Sequence, residues 1–116
     1  MIVATAGVGK TAVGKIIEGL KDPDDIILVT DDMDAALKLQ SGQIDYYIGT
    51  CHTGAGASLG VIPGLIGMNK CHTFGRRIPD ESEVKEKLSE GKIAFGCCVD
   101  QADEVVPILW KIFKGE

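Results

Sequence analysis

Short, continuous apolar runs alternate along this chain with segments in which apolar residues recur every three to four positions. That alternation leaves few folds open. Runs at residues 1–6, 26–29, 44–50 and 93–99, several of them β-branched or aromatic, read as strands buried on both faces. One more strand comes from either Leu65-Ile66-Gly67-Met68 or Cys71-His72-Thr73-Phe74. Five strands separated by helices predict a parallel sheet covered on both sides and joined by right-handed crossovers. A chain of 116 residues has room for one core, so residues 1–116 are expected to form a single Rossmann-like, three-layer α/β domain. The simplest strand order is the flavodoxin-like 2-1-3-4-5, whose switch point lies between the first and third strands.

The helical segments have definable faces and ends. Val13, Ile16, Ile17 and Leu20 line a helix over residues 11–20, and Asp22-Pro23-Asp24-Asp25 breaks it. Met33, Ala36 and Leu37 give the next helix its apolar face, up to Ser41-Gly42. Leu59-Gly60-Val61-Ile62 opens a short helix that Pro63 and Gly64 stop. Asp80 followed by Glu83 resembles a capping box ahead of a helix faced by Val84 and Leu88, which Gly91 ends. Val105, Val106, Leu109, Ile112 and Phe113 line a final helix starting near Asp103, and Pro107 keeps that start only a few residues upstream.

The third run carries the chemistry. It ends on Cys51 and opens through His52 and Thr53 into Gly54, Ala55, Gly56, Ala57 and Ser58 before the short helix. Small residues let the backbone turn sharply and approach a ligand, and unpaired amides at a helix amino end attract anions. A thiol in such surroundings is favoured as thiolate, which makes Cys51 a candidate base. His52 transfers protons near neutral pH, and its alternative is an exposed turn residue. Thr53 and Ser58 suit hydrogen bonds to hydroxyls. The first loop, Gly7-Val8-Gly9-Lys10, is placed beside Cys51 by the predicted topology, so Gly7, Gly9 and Lys10 join the candidate anion site.

That first loop also fits two loose nucleotide motifs. Residues 4–11 follow a P-loop pattern with Ala for the first Gly, and residues 7–12 follow the dinucleotide fingerprint, with Asp31 near the distance of a ribose-binding acid. Neither is specific; Asp31 and Asp32 could accept sugar hydroxyls but, preferably, are explained as helix caps without a ligand. Arg76 and Arg77 suit a phosphate clamp or, preferably, a solvated loop, and His72 could transfer protons near neutral pH like His52, which is preferred because it lies in the loop.

Two resemblances sharpen these readings. The stretch DMDAALKLQSGQIDYYIGTCHTGAGA is similar to the YhfU-like bacterial proteins, a family without an established biochemical function. SGQIDYYIGTCHTGAGAS resembles the central segment of the ribose-phosphate isomerase B and LacAB sugar isomerases. This second resemblance implies an aldose-ketose isomerase of sugar phosphates, with Cys51 as base, Thr53 on the loop threonine, and Gly54, Gly56 and Ser58 on the anion-hole loop. His52 stands where that family has glycine. The first loop reads Ala4-Thr5-Ala6-Gly7 in place of an Asp-His pair.

The remaining expectations are mostly exclusions. A net charge of −5 without a basic block argues against nucleic acid or an anionic membrane as partner. No apolar run reaches the roughly 18 residues of a spanning helix, and Met1-Ile2-Val3 lacks signal-peptide features, so a cytoplasmic location is expected. The four cysteines then read as thiols, their spacing suggests no metal site, and Cys97-Cys98 packs in and around the core. No cofactor is expected. The resulting picture is a small-molecule, anionic-ligand site of sugar metabolism. An isomerase competes there with a non-catalytic binding or regulatory subunit, a phosphotransferase-B-like carrier and a dinucleotide-binding module. The carrier reading wants its cysteine in the first loop, which has none. Self-pairing as a homodimer is the commonest form for such small chains.

Overall fold

The computed structural model describes residues 1–52 and 60–116. Five strands, β1 (Ile2–Gly7), β2 (Ile26–Val29), β3 (Tyr46–Cys51), β4 (Cys71–Thr73) and β5 (Ala94–Cys98), form one sheet in the order β2-β1-β3-β5-β4. Every pairing is parallel. The expected 2-1-3-4-5 order is therefore corrected at one margin, where β5 lies between β3 and β4. Burial accounts for the exchange: all five residues of β5 are buried, whereas β4 has three residues and only Cys71 is buried. A fully apolar strand belongs inside a parallel sheet, and a short one is tolerated at its edge.

Helices α1 (Lys10–Glu18), α2 (Asp32–Gln40), α3 (Ile62–Ile66), α4 (Glu81–Ser89) and α5 (Ala102–Phe113) cover both faces. Side chains alternate along each strand, which splits the core in two. Val3, Ile48, Phe95 and Cys97 face Val13 and Ile17 of α1, Val84 of α4 and the apolar side of α5. Ala4, Ala6, Tyr47 and Ala94 face Ala35, Ala36 and Leu39 of α2 and Ile62 of α3. This sorting is what right-handed crossovers require when the chain steps outward to β2, back across to β3 and β4, and outward-to-inward again to β5. Aromatic rings reinforce the first layer, with Tyr46 stacked on Phe113 at 4.2 Å between centroids and Phe95 tilted against Phe113 at 5.5 Å.

Three local expectations change. Met33 and Leu37 of α2 are about half exposed, at 49% and 50%, because Ala35, Ala36 and Leu39 make the buried face. Two alanines let that helix sit close to the sheet. Pro63 lies in the first turn of α3 and does not stop it; a missing N–H costs nothing there. Of the two fourth-strand candidates, residues 71–73 form the strand and Leu65-Ile66 belong to α3. The capping expectation at Asp80 is borne out, since its carboxylate accepts the Glu83 amide at 2.8 Å. Asp25 at the foot of β2 is nearly sealed and accepts from Lys114 beyond α5 at 2.6 Å.

Candidate functional site

The carboxyl edge of the sheet brings together the ends of β1, β3 and β5. Parallel register sets Gly7 opposite Thr50 and Cys51 opposite Cys98. Gly7 adopts φ +101°, and a Cβ there would stand 2.1 Å from the Thr50 carbonyl oxygen. No other residue fits. The Gly9 amide donates to Thr50 Oγ1 at 2.8 Å, and that hydroxyl lies 3.5 Å from the Ala6 carbonyl. A Cβ on Gly9 would meet Val99 Cγ2 at 2.6 Å, so the loop after β1 is wedged between the ends of β3 and β5.

From this wedge α1 starts at Lys10, with Gly9 as its cap and no side chain capping it. The first amides of a helix have no partner within it and carry the positive end of its dipole. They sit beside the end of β3, as the predicted topology required. Gly9 itself is corrected as a ligand donor, because its N–H is taken by Thr50. Lys10 reaches the other way, its Nζ donating to the Thr30 carbonyl at 3.1 Å.

Cys51 ends β3 at 9% exposure, and His52 is exposed immediately after it. The His52 carbonyl accepts from Arg76 Nη1 at 2.8 Å and from the Cys98 thiol at 3.2 Å. The same Arg76 nitrogen donates to Cys98 Sγ at 3.1 Å, while its other amine lies 3.4 Å from Asp100. Arg76 thus lies in an exposed loop, as read, but its guanidinium is bound over the ends of β3 and β5. Cys97, on the opposite face, is buried; burial first, then its neighbours Cys98 and Cys51, push its thiol up to about 12. The candidates Thr53, Gly54, Ala55, Gly56, Ala57 and Ser58 lie outside the described residues.

Where the chain re-enters at Gly60, a Cβ would stand 1.7 Å from Asp32 Oδ2, so Asp32 is packed against the far end of the glycine segment. Tyr47 is fully buried below, its hydroxyl pKa raised by burial and then by the Asp32 charge. Thr50, Cys98 and Tyr47 join the site without having been singled out as ligand groups, and Asp32, read preferably as a helix cap, joins them. Only the period of two along the strands could have marked Cys98, by turning it away from Cys97. Asp31 is a cap, as expected, accepting the Asp34 amide at 2.7 Å.

Other candidates lie elsewhere. Arg77 and Glu83 form a two-pronged pair at 2.6 and 2.5 Å, with His72 Nε2 3.2 Å from Glu83. The Arg77 guanidinium, helped by His72 and opposed by burial, holds the Glu83 carboxyl down at about 2. Burial lowers the His72 pKa, with Glu83 opposing it. This cluster braces the β4 margin. Among the described residues no group of three or more His, Cys, Asp or Glu is arranged to hold a metal ion, and no helix is long and apolar enough to cross a membrane.

The family model described as "Protein of unknown function DUF2620" matches residues 1–113, nearly the whole chain. The chain belongs to the DUF2620 family. Its curated relatives include the uncharacterized protein YhfU of Escherichia coli K12 and that of Shigella flexneri. Each is 38% identical over 110 residues, covering 92% of this chain and 93% of the relative. The resemblance to YhfU-like proteins is thereby borne out, and the DUF2620 match spans every strand and helix described above.

Proposed function

We propose that this Rossmann-like domain binds a small anionic metabolite, a sugar phosphate by preference, in the crevice between the ends of β1 and β3. The observation that carries this reading is the Gly7 to Thr50 register, which sets the uncapped amino end of α1 beside Cys51 and His52. That is the switch point of an open parallel sheet, where ligands of such domains enter. An anionic group would meet the first amides of α1, and the rest of the guest would lie toward Cys51 and the glycine segment. In the isomerase reading, which the resemblance to ribose-phosphate isomerase B supplies, Cys51 moves the proton between neighbouring carbons and loop amides hold the enediolate oxygen.

A second reading is favoured by one specific observation. Cys51 is only 9% exposed, which suits binding without turnover. Incubation with a panel of pentose and hexose phosphates, followed by aldose to ketose conversion and by alkylation of Cys51, separates the readings. Conversion supports the isomerase; protection of Cys51 without conversion supports a binding or regulatory subunit. Neither conversion nor protection across the panel would refute the sugar-phosphate site. A cytosolic setting fits both readings.

A further inference from the structure

Among pairings of the four cysteines, one stands apart. Cys97 points to the α1 and α5 face, and Cys71 lies opposite Ala94, at the far end of β5 from Cys98. Cys51 and Cys98 are direct partners on neighbouring parallel strands, so their side chains leave the same face of the sheet. Neighbouring strands run about 4.8 Å apart. That separation falls within the roughly 4.4–6.8 Å between Cα atoms that a disulfide spans. Two residues earlier on that face, Gly49 pairs with Gly96, so no side chain stands below the sulfurs to hinder rotation about Cα–Cβ. The Cys98 sulfur already leans toward β3, since it reaches the His52 carbonyl. Arg76, which contacts that sulfur, has a side chain 57% exposed, so Cys98 lies one guanidinium below solvent.

We propose that Cys51 and Cys98 form a redox-active dithiol whose oxidant is a small disulfide such as oxidised glutathione. All four cysteines are unbridged in this structure. Cys51, the more exposed of the two, attacks the small disulfide, forms a mixed disulfide and releases one small thiol. The Cys98 sulfur then attacks the Cys51 sulfur and releases the second. Two protein thiols are oxidised, one small disulfide is reduced to two thiols, and the two protein protons leave on them. The bridge pins the ends of β3 and β5 and withdraws the thiol proton that the His52 carbonyl accepts.

The wild-type chain provides the test, independently of any metabolite. After exposure to oxidised glutathione, thiols are counted in denaturant and disulfide peptides are mapped by mass spectrometry. Two thiols should disappear, the mass should fall by two hydrogens, and the linked peptides should be those of Cys51 and Cys98. In Cys98→Ser, one thiol should be lost as a stable glutathione adduct on Cys51, with circular dichroism reporting the fold. Retention of all thiols, a stable adduct on wild type, or a bridge through Cys71 or Cys97 would overturn the proposal.

Discussion

Replacing Thr50 by valine removes one oxygen and almost no volume, which isolates the contact joining the loop after β1 to β3. Thr50 is buried, and its Oγ1 accepts the Gly9 amide at 2.8 Å. Valine leaves that amide without its acceptor in a place water does not readily reach, a loss of roughly 1–3 kcal/mol. The weaker 3.5 Å approach to Ala6 contributes little beside it. With an unfolding entropy of about 2.1 cal/mol/K per residue, the chain shifts by about 4 °C per kcal/mol, so Tm should fall by about 4–12 °C. Calorimetry gives Tm, and urea titration followed by the fluorescence of Trp110, the single tryptophan, gives the free energy. Thr50→Ser keeps the oxygen and should lose far less. The reasoning fails if Thr50→Val stays within about 0.5 kcal/mol of wild type, an ordinary surface-substitution effect, or if serine is as damaging as valine.

Two further outcomes follow from the same contacts. Glu83 has its carboxyl at about 2 in the fold, below the ordinary 4.5, so its contribution is complete above pH 4.5 and is lost as pH falls toward 2. The stability gap between wild type and Glu83→Gln should narrow across that window in urea titrations at stepped pH, and a constant gap would count against the ion pair. At Gly9, where φ is −103° and imposes no strain, an added methyl meets Val99 Cγ2 most closely, at 2.6 Å, ahead of Thr50 Oγ1 at 3.1 Å. Gly9→Ala should therefore be destabilised, and Val99→Ala in the same chain should restore part of the loss; additive effects in the double-mutant cycle would show that the two do not touch.

Most strands and helices were legible because their periodicity is clean: Asp80 caps α4 as read, and β2 occupies residues 26–29 as read, although it is an edge strand with no buried residue and not the buried strand expected. Lateral order was not. Cys71-His72-Thr73 and Ala94-Phe95-Gly96-Cys97-Cys98 are both short runs that read as strands, and only their competition for the buried position beside β3 decides which lies inside. The α2 face was only partly assigned for a related reason: Ala36 is buried as read, but Met33 and Leu37 attract attention while Ala35 and Leu39 complete the close fit. At the site, Cys51 and the Gly7 turn could be named from local residues. Thr50 and Cys98 matter through partners 41 and 46 positions away in the chain, Gly9 and His52, which no local pattern encodes.

The wedge at Gly7 has an energetic corollary. Because the turn after β1 interlocks with the backbone of Thr50 and the side chain of Val99, this side of the proposed site is shaped when the sheet assembles. A guest touching it would spend little of its affinity on immobilising that turn. Recognition along this side would work by fit to an existing mould, and selectivity there would be changed by recarving it through substitutions.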